Sequence, residues 1–144
     1  MQRIVLYVLA GVFVFGVLPR KAAAVVAFKR EFQKLYITDE TDEEFANLVK
    51  SNKTGCLVCH QGKNRKHHNP YGEHLEKLLD KKKDIKDKEK IIAALKKVEA
   101  MHSDPNDDKS PTYGELIAAN KFPGGTLEEL EKEPEGEDGE NEAH

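Results

Sequence analysis

The sequence predicts a small, mostly α-helical domain followed by a disordered acidic tail. Apolar residues recur at helical spacing through most of residues 28–125, and the alternation typical of strands is almost absent. Residues 126–144 hold nine acidic residues and one lysine, with glycine and proline between them. Such a segment buries too little apolar surface to become ordered. We therefore expect one folded domain over residues 28–125 and a disordered tail over residues 126–144.

The first two predicted helices are amphipathic. In the first helix, the apolar positions follow the three- and four-residue spacing of one face, at Phe28, Phe32, Leu35 and Tyr36. In the second helix, Thr41 or Asp42 supplies the N-cap and the helix runs through Lys50. Its apolar face is formed by Phe45, Leu48 and Val49. The polar segment 51–55 then ends this helix.

Three more helices are predicted after residue 68. Asn69 is followed by proline, a pair that is typical of an N-cap and the first helical position. Ser110 is also followed by proline and predicts the start of a last helix, which ends near Asn120. Between them, a helix is predicted over about residues 87–101, with an apolar stripe formed by Ile91, Leu95 and Val98.

The N-terminal residues predict an export signal. Arg3 precedes an apolar run over residues 4–18, and the alanines at 22–24 provide a small-residue cleavage site. The run is shorter than the roughly 20 residues that span a bilayer. We predict a signal peptide over residues 1–24, cleaved after residue 24 or residue 27. An uncleaved membrane anchor is the alternative, because Arg20 and Lys21 lie close to the cleavage site.

Residues 56–60 read Cys-Leu-Val-Cys-His, a C-x-x-C-H motif. Two cysteines three residues apart lie on the same side of a helical turn, so both thiols can reach the two vinyl groups on one edge of a haem. The histidine that follows is then held under the ring, where its imidazole can bind the iron. The motif therefore predicts two covalent attachment points, Cys56 and Cys59, and one axial ligand, His60.

On these five residues the chain resembles the c-type cytochromes. The resemblance implies one covalently attached haem c and a small cytochrome-c-like helical domain wrapped around it. It also implies that the haem is attached on the outer side of the exporting membrane, which in bacteria is the periplasm. The chain departs from class I cytochromes, because a polar break separates Phe45 from Cys56. It is more similar to short exported monohaem proteins.

Closely spaced cysteines have three further roles, and each of them stays open. A thioredoxin-like redox pair requires a βαβ setting, which the sequence does not show. A disulfide between residues three apart closes a very short loop and adds little stability. A structural zinc site would take its four ligands from Cys56, Cys59, His68 and His74. The export signal favours the haem over these three roles.

The second axial position of the iron decides the chemistry of the site. Met101 is the only methionine after the predicted signal peptide, and its separation from His60 resembles that in small class I cytochromes. A thioether ligand favours reduced iron and suits an electron carrier. Met101 also continues the apolar stripe of its helix, so it could instead be a core residue. The position could then be filled by His67, His68 or His102, or it could be open, which would suit a haem-based sensor of small ligands.

The predicted function is one-electron transfer between periplasmic or membrane-associated redox proteins, not enzymatic catalysis. Residues 25–125 carry 19 basic and 17 acidic residues, so the domain lacks the strong basic field of a nucleic-acid-binding protein. We expect a monomer that contacts a membrane only where the N-terminal segment is uncleaved. Basic side chains around the motif could dock an acidic redox partner, and they are Lys53, Lys63, Arg65 and Lys66.

Overall fold

The computed structural model of the chain describes residues 20–134. About half of the chain is helical, and a two-stranded antiparallel sheet accompanies the helices. The helices are α1 (Arg20–Tyr36), α2 (Glu43–Lys50), α3 (Pro70–Leu78), α4 (Lys88–Glu99), α5 (Tyr113–Ala118) and α6 (Leu127–Leu130). The strands are β1 (His60–Gln61) and β2 (His67–His68), and short 3₁₀ turns cover Thr54–Cys56 and Asp84–Lys86. The prediction of a mostly α-helical small domain is confirmed.

Helices α2, α3 and α4 begin close to the predicted positions, whereas α1 begins at Arg20, eight residues before the first predicted apolar position, Phe28. Asp42, one of the two candidate caps of α2, accepts a hydrogen bond from the backbone N–H of Phe45. Asn69 caps α3 by accepting from the N–H of Gly72, and proline occupies the first turn, as predicted. Helix α4 follows its cap at Asp87 but ends at Glu99, about two residues earlier than expected.

The last predicted helix starts later than the sequence indicated. Helix α5 begins at Tyr113, with Thr112 as its N-cap, so Ser110 is not the cap. Thr112 and Glu115 form a reciprocal capping box in which each side chain bonds the other residue's backbone N–H. The Ser110 hydroxyl instead donates to backbone carbonyls of the preceding loop, at Asp104 and Asp107.

The predicted acidic tail begins with a folded turn. Helix α6 has a capping box between Thr126 and Glu129, and Leu130 is buried in the main core. The carbonyl of Leu130 accepts a hydrogen bond from the N–H of Gly62 at 2.9 Å, which joins α6 to the end of β1. Residues 126–130, which the sequence pattern assigns to the tail, are thus ordered by one buried leucine and a good cap. Residues 135–144 of the predicted tail lie outside the described residues.

The hairpin β1–β2 is a second element that the sequence did not predict. Its strands are two residues long and pair antiparallel, with His60 opposite His68 and Gln61 opposite His67. Strands of this length show no alternation of apolar and polar residues. The connecting loop turns through positive φ angles at Gly62 (80°) and Arg65 (54°).

The core lies where α1, α3 and α5 pack against α4. Its centre is filled by side chains, and the largest fully buried ones are Tyr71, Tyr113, Phe32, Ile91, Leu95 and Leu130. A domain wrapped around a central haem was expected from the resemblance. The centre of the described residues is a protein core, and a strongly apolar cleft beside the motif lies at its edge, between α1 and α3. The wrap around a haem stays a prediction.

The N-terminal prediction falls mostly outside the described residues. Residues 1–19 of the predicted signal peptide are not described, and residues 20–24 form the first turns of α1. Both predicted cleavage positions, after residue 24 and after residue 27, fall inside this helix. No helix in residues 20–134 is long and apolar enough to cross a membrane.

Candidate functional site

An apolar cleft beside residues 56–60 is the candidate site. Helices α1 and α3 both pack on α4 but make few direct contacts with each other, which leaves the cleft between them. The cleft is narrow, with a free volume of about 70 Å³. The walls come from α1, from the segment 55–60 with His68, and from α3 and the turn that follows it. The apolar residues among them are Phe28, Phe32, Val58, Leu75 and Leu79, and the charged ones are Lys29, Glu76 and Lys81.

All three predicted attachment residues line this cleft. The 3₁₀ turn Thr54–Cys56 and the turn after it place Cys56, Cys59 and His60 along one wall. Both cysteines are free thiols, and the Cys56 thiol donates to the carbonyl of Asn52 at 3.4 Å. The structure therefore brings together the two thiols and the imidazole that the sequence motif singled out.

The His60 imidazole is held by a backbone carbonyl. Its Nδ1 lies 3.2 Å from the carbonyl oxygen of His67, and since a carbonyl only accepts, Nδ1 carries the hydrogen. The other nitrogen, Nε2, is then the unprotonated atom with a free lone pair. Burial, and secondly the neighbouring His68, lower the pKa of His60. Both effects favour the neutral imidazole, which is the form that binds a metal ion.

His68 lies beside His60 and on the same side of the hairpin. The two residues face each other in the β1–β2 register, and their rings stack with centroids 4.7 Å apart and planes 29° apart. The Nδ1–H of His68 donates to the Glu76 carboxylate at 2.9 Å. Two axial ligands of one iron approach it end-on from opposite faces of the porphyrin. Stacked rings do not have this arrangement, so in this geometry His68 would not bind the iron on the face opposite to His60.

The structure does not bring the remaining candidate ligands to the cleft. Met101 follows the end of α4 and packs, partly buried, against the hydrophobic core, and it does not line the cleft. His102 donates from Nδ1 to the carbonyl of Ser110 at 2.6 Å and pairs with Thr112 across a short bridge. His67 faces Glu133, with its Nε2 3.9 Å from the carboxylate.

Asn69 is a residue whose role at the site the sequence did not reveal. It is fully buried, and its side-chain amide donates to the carbonyls of Leu57 and Val58 at 2.9 and 3.1 Å, with a longer contact to His60 at 3.4 Å. Its own N–H donates to the carbonyl of Cys59 at 3.1 Å. Because its side-chain oxygen also caps α3, Asn69 fastens the C-x-x-C-H turn to the N-terminus of that helix.

Gly72 allows α3 to touch the backbone of the motif. A Cβ atom on Gly72 would overlap the carbonyl oxygen of Cys59, which belongs to the backbone and cannot rotate away. Residues 71–73 and residues 113–115 both read Tyr-Gly-Glu. The glycine of the second sequence, Gly114 in the first turn of α5, is less crowded, since a Cβ there would lie 3.1 Å from the carbonyl oxygen of Glu99. The glycine of α3 is therefore required by backbone packing against the motif.

Tyr71 carries a buried hydroxyl with no hydrogen-bond partner among residues 20–134. Its ring packs edge-on against Phe32 and Tyr113, with centroids 6.2 and 5.3 Å away. Burial, and secondly the nearby Cys59, raise the pKa of Tyr71 well above its usual value. The hydroxyl is therefore protonated at neutral pH.

The redox and zinc interpretations of the cysteine pair receive little support from the site. Desolvation, with a smaller contribution from Cys56, raises the pKa of Cys59 to about 12, whereas redox-active cysteine pairs have lowered values. His74 lies against the Tyr113 ring (centroids 5.8 Å apart), not in the cleft, so the predicted zinc quartet is incomplete. In the described part of the chain, no three His, Cys, Asp or Glu side chains are grouped so as to hold a metal ion.

Comparison of the chain with protein-family models, with curated proteins and with solved structures found no match. The interpretation of the cleft rests on its own residues. They are two free thiols, a partly buried imidazole with one nitrogen already hydrogen-bonded, and apolar walls on α1 and α3. This combination can hold an apolar ligand covalently and present one nitrogen to a metal ion carried by that ligand.

Proposed function

We propose that the chain attaches one haem covalently through Cys56 and Cys59, with His60 as an iron ligand, and that it transfers single electrons. The observation that carries the proposal is that both thiols and the imidazole line the same apolar cleft. A haem supplies four nitrogen ligands itself, so its iron needs only one or two ligands from the protein. The donors present fit this requirement, whereas a structural zinc ion needs about four.

Each residue of the motif has a separate task in this proposal. Each thiol adds across one vinyl group, forming a C–S bond, and its hydrogen moves to the neighbouring carbon, so no oxidant is required. The His67 carbonyl fixes the orientation of His60 and leaves Nε2 for the iron. Asn69 holds the intervening backbone, which keeps the spacing of the three groups constant. The bound haem supplies an iron centre that exchanges single electrons.

Binding of a haem requires the cleft to widen. Its free volume of about 70 Å³ is smaller than the roughly 300–1,000 Å³ of sites for small molecules and cofactors. Helix α1 must move outward from α3, and few direct contacts between the two helices oppose this movement. Phe28, Phe32 and Leu75 would then cover the apolar macrocycle. Burial of apolar surface contributes about 25 cal/mol per Å², which offsets the cost of opening.

The cellular setting in this proposal is the periplasm. The N-terminal signal and the C-x-x-C-H motif support export before haem attachment, with an uncleaved membrane anchor as the alternative. Lys63, Arg65 and Lys66 are exposed and lie in the loop that follows β1. Arg65 and Lys81 are close enough to His60 to contribute to the lowering of its pKa. A basic rim of this kind suits an acidic redox partner.

The central prediction concerns covalent attachment. After expression with a haem-attachment system, we expect the native chain to keep its haem on a denaturing gel and to give the pyridine haemochrome spectrum of a c-type haem. Replacement of both Cys56 and Cys59 by serine should abolish covalent haem, and His60→Ala should greatly reduce it. His74→Ala is the matched control, because His74 lies outside the cleft, and it should attach haem normally. Zinc without haem in the native chain would refute the proposal.

A haem-based sensor of small ligands is the second candidate function. It is favoured by one observation: Met101 does not line the cleft, so the second axial position lacks its predicted thioether. We expect Met101→Ala to leave the absorption spectrum of the oxidised protein unchanged. Prompt binding of carbon monoxide by the reduced protein at neutral pH would support the sensor. If the reduced protein does not bind carbon monoxide and Met101→Ala loses a methionine–iron band, the results would instead support an electron carrier with Met101 as the second iron ligand.

A further inference from the structure

The loop between β1 and β2 presents an unpaired basic surface. Its members, here called the basic loop, are Lys63, Arg65 and Lys66, and all three are exposed. Within residues 20–134 none of these side chains forms an ion pair with a carboxylate. Arg65 adopts a left-handed conformation with φ 54°, which is uncommon for a residue other than glycine. Three like charges are thus held close together beside the candidate site.

The C-terminal part of the chain is directed to this loop. Helix α6 is joined to β1 through the N–H of Gly62 and the carbonyl of Leu130. Farther along, the Glu133 carboxylate accepts a hydrogen bond from the N–H of Lys63 at 3.0 Å and lies 3.9 Å from Nε2 of His67. The last described residues therefore end at the basic loop, with one acidic side chain already bound to its backbone.

The residues that follow have the opposite charge. Residues 135–144 read Glu-Gly-Glu-Asp-Gly-Glu-Asn-Glu-Ala-His, with five acidic residues and no lysine or arginine. Ten residues reach at most about 35 Å when extended, so they can cover the whole loop. Lys81, which lines the cleft, offers less net charge, because it pairs with Glu76 at 3.3 Å.

We propose that residues 135–144 lie over the basic loop and compete there with an acidic redox partner. The tail is anchored beside its own binding surface, and tethering of this kind gives an effective concentration on the order of millimolar. The contact is electrostatic and exposed, so salt weakens it. The identity of the competing partner rests on the proposed function, whereas the contact between tail and loop does not.

Zero-length carbodiimide cross-linking of the full chain tests the contact. This reagent joins a lysine to a carboxylate that touches it, and mass spectrometry locates the pairs. At low salt we expect residues 135–142 to cross-link within one molecule to Lys63 and Lys66, several-fold more than to the exposed lysines Lys82 and Lys109. At about 1 M salt, where the Debye length is about 3 Å, this preference should disappear. Equal labelling of all four lysines, or cross-links formed mainly between two copies, would overturn the proposal.

Binding of an acidic peptide tests the competition. The variant keeps the full length but replaces the five acidic residues at positions 135, 137, 138, 140 and 142 by the corresponding amides. We expect it to bind a short poly-glutamate peptide roughly ten-fold more tightly than the native chain at low salt. Charge reversal of the basic loop, K63E with R65E and K66E, should abolish peptide binding in the amide variant. Equal affinity of the native chain and the amide variant would contradict the competition.

The two proposals can fail separately. Both experiments use preparations whose haem content is measured by the pyridine haemochrome. Tail–loop cross-links in a chain that never takes up haem would support the contact and contradict the proposed function. A haem-loaded chain without these cross-links would support haem attachment and contradict the contact.

Discussion

Replacement of Asn69 by alanine is expected to lower the free energy of unfolding by about 3 kcal/mol or more. Loss of an N-cap costs about 1 kcal/mol, and each buried carbonyl that loses its donor adds about 1–3 kcal/mol. Here the carbonyls of Leu57 and Val58 lose their donor in addition to the cap of α3. Urea denaturation followed by circular dichroism measures the effect. Asn47→Ala, on the exposed face of α2, is the matched control and should change stability by less than about 0.5 kcal/mol.

Asn69→Asp separates the two roles of this residue. A carboxylate still caps α3 but cannot donate to the carbonyls of the motif. If the N-cap of α3 were the main contribution of Asn69 to stability, the aspartate variant would have nearly native stability. We expect it to be at least as unstable as Asn69→Ala, because the carboxylate faces carbonyl oxygens in a buried position. A loss below about 1 kcal/mol in the alanine variant would show that the amide does not hold the motif.

Gly72→Ala is expected to lower the free energy of unfolding by about 3 kcal/mol, at the upper end of the usual cost of overpacking. The added methyl group meets the carbonyl of Cys59, so either α3 or the motif backbone must shift. Gly114→Ala, in the first turn of α5, is the matched control. There the milder contact with Glu99 is offset by the roughly 1 kcal/mol gain in helix propensity, so we expect a change below about 1 kcal/mol.

The two glycine variants are compared by thermal and urea unfolding of the haem-free chain. Covalent haem yield is the second measurement, since displacement of Cys59 should reduce attachment in Gly72→Ala but not in Gly114→Ala. A Gly72→Ala chain that does not fold agrees with the prediction. Equal stability of the two variants would contradict the assigned backbone contact.

Much of the helical fold follows from local features of the sequence. Helices α1 to α4 have apolar stripes, and the caps at Asp42 and Asn69 are set by residues within one turn. The start of α5 is hard to predict because two capping residues, Ser110 and Thr112, lie two positions apart. Helix α6 is hard to predict because its acidic composition outweighs a single leucine, and the contact of Leu130 with the core, which adds to the capping box, is tertiary.

The candidate site is only partly predictable for a different reason. The C-x-x-C-H spacing is local, and it correctly groups the two cysteines and His60 on one wall. The role of Asn69 depends on carbonyls nine to twelve residues earlier, and the side-chain pattern does not reveal where those point. The stacking of His68 on His60 depends on the register of a hairpin too short to predict. The distance between Met101 and the cleft likewise depends on how α4 packs.

Helix α1 connects the predicted export segment to the cleft without a flexible linker. It is continuous from Arg20 to Tyr36, and Phe28 and Phe32 on it form one wall of the cleft. A helix rises about 1.5 Å per residue, so Phe28 lies about 12 Å along the axis from Arg20. Cleavage after residue 27 would leave Phe28 as the first residue, so a new α-ammonium group would lie beside the cleft that this side chain lines. Cleavage after residue 24 would place the same charge about one helical turn farther away, so the choice of cleavage site would set the charge at the edge of the cleft.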